Sequence, residues 1–252
     1  LVERARHIEV QLLADNHGHV YQLGERDCSI QRRHQKLLEE TPSPALTPDR
    51  RKKLLKAAVR AAQACKLRNV ATIEFLWNED AQEFYFMEMN TRIQVEHPIT
   101  EEVTGVDLVQ LQIRAAAGEV LKFADDEFAP RGHAIEVRVN AENPYKNFTP
   151  SPGPIQVVHF PGGPGIRVDS HVYSGYVIPP FYDSMIGKII ARGKNREEAL
   201  TRMARALAEF KMAGPATTVP VAQALLADAR FLRGEYNTHF LEQFMNDVFW
   251  VS

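Results

Sequence analysis

Short segments in which apolar and polar residues alternate strictly recur along the whole chain, and they limit its fold more than any other feature. Between residues 7 and 13, Ile8, Val10 and Leu12 point one way and the polar residues the other, as in a half-buried strand. The polar turn at 15–18 leads to a second short strand, so we expect a hairpin. Further predicted strands are VATIEFLWN, EFYFMEMN, GHAIEVRVNAE, PIQVVHF, GIRVDSHV and SMIGKIIARG.

Helices are predicted between these strands. A polar, basic segment at 26–36 is expected to be a loop, and Thr47 followed by Pro48 then predicts a helix start, continuing to about residue 66. A second helical stretch, at about 99–117, should end at Gly118.

The acidic segment 124–127 predicts a domain boundary, because the pattern beyond it is rich in strands and in Gly and Pro turns. Asn195 and Glu198 form a capping box that opens a helix with the apolar face Leu200, Met203, Ala204, Leu207 and Phe210. We therefore expect an α+β chain with one domain at 1–123 and a second at 131–242.

Composition excludes several classes of protein. Among 252 residues, 44% are hydrophobic and 25% charged, which is typical of a globular protein and not of a disordered, collagen-like or disulfide-scaffold chain. A net charge of −2 gives no basic excess for nucleic acid or an anionic membrane. Cys28 and Cys65 lie far apart, which fits a reducing cytosol. The chain contains no apolar run near the ~20 residues of a membrane span, and its start does not resemble a signal peptide.

Two predicted strands carry acids on one face. If they form a hairpin centred near Ala81, Glu74 faces Glu88 and Thr72 faces Asn90. Opposed residues have Cβ atoms about 4.5–5.5 Å apart, and like charges there are destabilising. A hard divalent cation such as Mg²⁺ would offset the repulsion. The alternative is that one acid points to solvent or pairs with Lys or Arg.

Arg92, Gln94 and Glu96 lie at every second position after Glu88 and Asn90, so in a continuous strand they would share one face. Acids, an amide and a guanidinium on one face suit a metal–phosphate site with room for a second small anion, which Arg grips bidentately. A carboxylate beside that anion could act as a general base. An exposed ladder of salt bridges is the alternative.

Two further groups of charged residues have both a structural and a functional interpretation. Gln31, His34 and Lys36 belong either to a solvated basic surface or to a site for phosphate or carboxylate. Arg138 follows Glu136 on one face of a strand, where it could form an ion pair or stabilise a developing oxyanion. Spacing alone does not separate these alternatives.

Several strings, in this order, resemble the biotin carboxylase family over nearly the whole chain. They are ERDCSIQRRHQK, FYFMEMNTRIQVEHPITEEVTGVDL, RGHAIEVRVNAE, SPGPI and PPFYDSMIGKII. The ending THFLEQF is most similar to the biotin carboxylase subunit of bacterial acetyl-CoA carboxylase. The resemblance implies the second part of an ATP-grasp domain followed by the β-rich biotin carboxylase C-terminal domain.

The implied reaction is ATP-dependent carboxylation of biotin by bicarbonate through carboxyphosphate, the first half-reaction of acetyl-CoA carboxylase. It needs ATP, Mg²⁺ or Mn²⁺, and bicarbonate, with biotin as substrate on a biotin carboxyl carrier protein. Carboxyltransferase subunits, a homodimer and a cytoplasmic location are also implied, with no nucleic acid or membrane partner.

The resemblance also implies roles for individual residues. The metal ligands would be Glu74, Glu88 and Asn90. Bicarbonate would be bound by Lys36, Arg92, Gln94 and the Val95 backbone, with Glu96 as its base. Arg138 would bind biotin and stabilise its enolate. Nucleotide contacts would come from Val2, His7, Gln31, His34 and Leu76, together with the metal-binding Glu74 and Glu88.

The chain also departs from the family pattern. The family's N-terminal domain and glycine-rich lid are absent, so we expect a fragment that lacks half of the ATP cleft and is inactive in isolation. Ala5 replaces a usual Pro, Thr218 a common Asn, and the 74–88 turn is longer. The segment 209–212 only partly matches the biotinylation signature, so biotin should arrive on another chain or domain.

Three other hypotheses remain. The chain could belong to another acyl-CoA or pyruvate carboxylase, to a carbamoyl-phosphate synthetase-like ATP-grasp ligase, or to a non-catalytic module for dimerisation or carrier docking.

Overall fold

The computed structural model describes residues 2, 4–124 and 126–250. The chain forms two compact units. The first takes the chain up to Ser29 and then Glu39–Ala134, and the second takes Ile30–Leu38 and the chain from Ile135 onward. Segment 30–38, which the sequence assigned to the first domain, therefore belongs to the second unit. In the expected boundary segment 124–127, residue 125 lies outside the described residues.

Strands and helices follow one another in the first half of the chain. They are β1 (Ala5–Ala14), β2 (Val20–Arg32), β3 (Gln35–Thr41), α1 (Pro48–Ala64), β4 (Asn69–Asn78), β5 (Glu83–Asn90), α2 (His97–Thr104) and α3 (Leu108–Ala116). The strand order is β3–β2–β1–β4–β5. β1 pairs antiparallel with β2 and β4, and β4 with β5, so the two expected hairpins are confirmed.

The expected loop at 26–36 is wrong. β2 continues to Arg32 and β3 begins at Gln35, so only Arg33 and His34 form the turn. Both have positive φ, 48° and 66°, as in the two-residue turns that match strand twist. Such turns normally contain Asn or Gly, and their absence hid this hairpin from the sequence pattern.

Helix α1 starts as predicted, with the Thr47 side chain accepting a hydrogen bond from the Arg50 N–H. The single helix expected at 99–117 is instead two helices. Gly105, with φ 78°, ends α2, and Asp107 caps α3 by accepting from the Gln110 N–H. A glycine stop followed two residues later by an aspartate cap was the local signal.

Both faces of β1 are buried, so its expected half-exposure is wrong. On one face Ile8, Val10 and Leu12 pack in a cluster with Leu54 and Ala58 of α1. The opposite face has apolar packing only near one end, in a separate cluster that includes Leu13, Leu108 and Leu111. The rest of that face carries polar side chains, and these form the candidate site.

The second unit has its own core. Its elements are β6 (His133–Asn140), β7 (Glu142–Asn143), β8 (Thr149–Pro150), β9 (Gly153–Pro154), β10 (Val157–His159), β11 (Ile166–Ser170), β12 (Val177–Ile178), β13 (Met185–Gly193), α4 (Arg196–Glu209), β14 (Lys211–Ala213), α5 (Val219–Leu225), α6 (Ala229–Leu232) and α7 (Phe240–Phe244). β13 lies between β11 and β6.

Helix α4 opens with the predicted cap, the Asn195 side chain accepting from the Glu198 N–H. Leu200, Met203 and Leu207 are buried as expected, whereas Ala204 is exposed. Among the described parts of the chain, no helix is long and apolar enough to cross a membrane.

Candidate active site

The registers of four neighbouring strands bring one row of charged residues together. Arg26 of β2 pairs with Glu9 of β1, Glu9 with Glu74 of β4, and Glu74 with Glu88 of β5. The predicted pairings of Glu74 with Glu88 and of Thr72 with Asn90 are confirmed. Three carboxylates thus stand side by side, an arrangement that is destabilising unless other groups offset the repulsion.

Polar side chains surround Glu74 and Glu88, the middle and last acids of this row. The Asn90 side-chain amide donates to Glu74 Oε1 at 3.1 Å and to Glu88 Oε1 at 3.0 Å. His7 Nε2 lies 2.8 Å from Glu74 Oε2. Glu74 is 6% exposed, whereas Glu88 is open to solvent. The site is therefore closed on the Glu74 side and accessible on the Glu88 side.

A divalent cation fits the chemistry of these side chains. Two carboxylates and an amide are the oxygen ligands that Mg²⁺ takes, and accessibility at Glu88 leaves room for water or phosphate ligands. Ligand atoms of His7, Glu9 and Glu74 also lie within 4.8 Å of one another.

A β-bulge at Met87 directs Glu88 onto this face. Phe75 pairs with Phe86, and Glu74 with Glu88, so Met87 is the extra residue. Simple alternation would place Phe86 and Glu88 on the same face. The bulge instead puts Phe86 beside Phe75 on the α1 side and Glu88 beside Glu74 on the polar side.

The segment after β5 is not a strand. The expectation that Arg92, Gln94 and Glu96 continue the strand face of Glu88 and Asn90 is therefore wrong. Gln94 nevertheless reaches the site, because its Nε2 donates to Glu74 Oε1 at 2.8 Å. Glu96 is 2% exposed and stands at the start of α2 without capping it through its side chain. Arg92 is exposed, and its Nη1 donates to the Ile93 carbonyl at 3.2 Å. Val95 is half-buried.

Arg26 is the residue that sequence reasoning missed, because it lay in the expected loop. Its side chain is fully buried, and Nε donates to Glu9 Oε1 at 2.6 Å. Burial lowers the pKa of Arg26, but the charges of Glu9 and Glu96 more than offset this, and the net pKa is raised. Arg26 donates to the buried Glu9 and Gln11 of β1, so these two side chains have hydrogen-bond partners without contacting water.

The remaining candidate residues lie elsewhere. Gln31, His34 and Lys36 are in the segment that belongs to the second unit, with His34 exposed and the other two half-buried. Leu76 on β4 and Val2 are half-buried.

Arg138 lies on β6 of the second unit and is half-buried, whereas Glu136 is fully buried. The Thr218 hydroxyl donates to the Arg138 carbonyl at 3.2 Å and accepts from the Asn140 N–H at 3.1 Å. Thr218, which stands where the family commonly has Asn, thus holds the backbone that carries Arg138. Arg138 also lines a small pocket of this unit with Thr218, Leu37 and other apolar residues.

Two family models together match most of this chain. Residues 1–124 match the family model described as carbamoyl-phosphate synthase L chain, ATP binding domain, and residues 136–243 match the biotin carboxylase C-terminal domain. A biotin carboxylase of Nostoc sp. is 57% identical over 96% of this chain and 54% of its own length. A pyruvate carboxylase subunit of Methanothermobacter thermautotrophicus is 54% identical over 98% of this chain and 50% of its own.

This chain belongs to the biotin carboxylase family. Its fold is the second part of an ATP-grasp domain followed by the biotin carboxylase C-terminal domain. A solved biotin carboxylase domain of a thermophilic 2-oxoglutarate carboxylase, bound to bicarbonate, superposes with a TM-score of 0.94 at 46% identity, covering 97% of this chain and 55% of that one. The chain spans about half the length of the relatives it matches.

Proposed function

We propose that this chain is the part of a biotin carboxylase that binds metal-nucleotide and bicarbonate and carboxylates biotin through carboxyphosphate. The observation that carries the proposal is the row of carboxylates on β1, β4 and β5, with Gln94 bonded to Glu74. The names of its relatives support the same reaction.

Glu74, Glu88 and Asn90 would hold Mg²⁺ or Mn²⁺. The ion, when bound, would supply positive charge against the phosphates of ATP. A solved relative from Hydrogenobacter thermophilus was crystallised with MgADP and bicarbonate, which supports the same ligands here. The nucleotide contacts would come from Val2, His7, Gln31, His34 and Leu76, with Glu74 and Glu88 acting through the metal.

Bicarbonate would be bound by Lys36, Arg92, Gln94 and the backbone of Val95. Glu96 would take the bicarbonate proton as a bicarbonate oxygen attacks the terminal phosphorus of ATP. The bond between that phosphorus and ADP breaks, which gives carboxyphosphate and ADP. A buried carboxylate suits this role, because little water competes for its proton.

Carboxyphosphate would then break into CO₂ and phosphate, and the phosphate would remove the ureido N–H proton of biotin. Arg138 would stabilise the resulting enolate through its fixed positive charge while the ureido nitrogen bonds to the carbon of CO₂. The proposal thus takes the oxyanion interpretation of Arg138 in place of the ion pair.

We further propose the partners and the cellular location of this reaction. Biotin would arrive on a biotin carboxyl carrier protein, and carboxyltransferase subunits would use the product, as in the acetyl-CoA carboxylase of fatty acid synthesis. A homodimer is proposed because a related domain is described as a dimer. Neither Cys28 nor Cys65 forms a disulfide bond, which fits a cytoplasmic location. Relatives named for pyruvate and 2-oxoglutarate carboxylases favour those acceptors as the second candidate.

The proposal is tested by ATP hydrolysis in the full-length gene product, with and without bicarbonate and free biotin. We expect hydrolysis that requires bicarbonate and rises with biotin. Hydrolysis indifferent to biotin would instead indicate another ATP-grasp ligase and would contradict the role of Arg138. The 252-residue chain by itself, without the rest of the protein, should show neither activity.

A further inference from the structure

Arg26 satisfies every donor of its guanidinium inside the first unit. A guanidinium has five N–H donors and no acceptor, in a rigid planar fork. Besides Nε to Glu9, Nη1 donates to Gln11 Oε1 at 2.8 Å and to Thr100 Oγ1 at 2.9 Å. Nη2 donates to Thr72 Oγ1 at 3.3 Å and to Gln94 Oε1 at 3.2 Å. Side chains from the two strands β1 and β4, from helix α2 and from the segment after β5 thus hold one cation in place.

The contact with Gln94 has a chemical consequence. Because Arg26 can only donate, it selects the carbonyl oxygen of the Gln94 amide and turns the amide nitrogen toward Glu74, 2.8 Å away. The reversed amide would place N–H groups against the N–H groups of Arg26 and a carbonyl oxygen against the Glu74 carboxylate. Both changes are repulsive, so one amide orientation is favoured.

We propose that Arg26 is a positioning residue that fixes the Gln94 amide with its N–H₂ group toward the acid row, where it donates to the bicarbonate. The proposal rests on the proposed function, since it assumes that Gln94 binds that anion. Arg26 itself touches no reacting atom. Its effect on turnover passes through Gln94, and through the carboxylate of Glu9 that it neutralises.

The test is a double-mutant cycle in the full-length enzyme, with Arg26→Lys, Gln94→Ala and the double variant. Lysine keeps the charge but cannot reach five acceptors from one plane. We expect Arg26→Lys to raise the KM for bicarbonate at least about tenfold, since a hydrogen bond to a charged group is lost, while the KM for ATP changes less than about threefold. In the Gln94→Ala background, Arg26→Lys should add little to the bicarbonate KM.

Arg51→Lys is the matched control, because Arg51 also forms an ion pair with a buried acid of β2, Glu25, at 2.7 Å but lies on α1. It should leave both KM values unchanged. Thermal unfolding of every variant and line broadening of ¹³C-bicarbonate provide readouts other than turnover.

If Arg26→Lys does not fold, Thr100→Val takes its place in the experiment. This variant removes one hydrogen-bond acceptor of Arg26 and should raise the bicarbonate KM about two- to fivefold.

Each outcome decides one question. The positioning role would be overturned if the increases in the bicarbonate KM caused by Arg26→Lys and by Gln94→Ala multiplied in the double variant. It would also be overturned if Arg26→Lys raised the KM for ATP and the KM for bicarbonate equally. Failure of the unmodified enzyme to hydrolyse ATP in response to bicarbonate would overturn the proposed function instead. Bicarbonate line broadening that is lost in Gln94→Ala and weakened in Arg26→Lys would still support the positioning role in that case.

Discussion

At the scale of single residues, the site depends on charges that water does not screen. Glu96 and Arg26 are almost fully buried, and the buried Glu74 is held by side-chain amides and His7. In such surroundings the interactions of a carboxylate with its partners are stronger than they would be in water.

Replacement of Glu96 tests its proposed role as the base that takes the bicarbonate proton. Glu96→Gln in the full-length enzyme keeps the shape of the side chain and removes its basicity, so biotin-dependent kcat should fall by ~10²–10⁴. Glu119→Gln, at an exposed acid paired with Arg114, is the control and should be near normal. Near-normal turnover of Glu96→Gln, measured as ADP release, would remove Glu96 from the mechanism.

Asp15 gives a separate prediction for stability. Burial alone raises its pKa, but hydrogen bonds from the His19 side chain and from the backbone N–H groups of His17, His19 and Leu121 outweigh this and lower the pKa to about 2, from 3.8. A lowered pKa stabilises the fold above pH 4 and loses that stabilisation as the pH falls toward 2.

Asp15→Asn should therefore cost roughly 2 kcal/mol in the free energy of unfolding at neutral pH, and about half as much near pH 3. Urea unfolding of the protein and the variant at several pH values measures the difference. A cost that stays constant between pH 7 and pH 3 would contradict the assignment.

At the scale of elements, sequence pattern predicted whatever depended on neighbours along the chain. The hairpin between β4 and β5, its register at Glu74, the α1 cap and the α4 cap all follow from alternation or local capping residues. The turn at Arg33 and His34 could not be predicted in this way, because it lacks the usual Asn or Gly. The burial of Arg26 could not be predicted either, because it depends on contacts with another strand and with helix α2.

The bulge in β5 allows a sharp test with two deletions of the same residue type. Deleting Met87 removes the extra residue and leaves Phe86 and Glu88 on their present faces. Deleting Met89 forces either Glu88 or Asn90 onto the opposite face, because strand side chains alternate. In the full-length enzyme, we expect Mg²⁺-dependent turnover within about tenfold of normal for the first deletion and a loss above about 100-fold for the second. Equal loss in both would contradict the observed register.

At the scale of the whole molecule, the proposed roles divide between the two units. Metal ligands and the base lie in the first unit, whereas Arg138 lies in the second, as do Gln31, His34 and Lys36. ATP cleavage by bicarbonate and stabilisation of the biotin enolate should be separable by mutation, because different residues are proposed for the two steps.

Arg138→Ala in the full-length enzyme should abolish the stimulation by biotin, while slow bicarbonate-dependent ATP hydrolysis continues, because enolate stabilisation follows carboxyphosphate formation. Arg205→Gln, at an exposed arginine of α4, is the control. Loss of the basal hydrolysis along with biotin stimulation would show that Arg138 acts earlier than proposed.

The central claim is that bicarbonate itself attacks the terminal phosphorus of ATP at this site, and the fate of its oxygen tests that claim most directly. The full-length enzyme would be supplied with ¹⁸O-bicarbonate, ATP, Mg²⁺ and biotin, and the phosphate released would be analysed by mass spectrometry. Attack by bicarbonate followed by cleavage of the C–O bond of carboxyphosphate leaves one ¹⁸O atom in each phosphate. Phosphate without ¹⁸O would show that water attacks ATP, and would contradict the account.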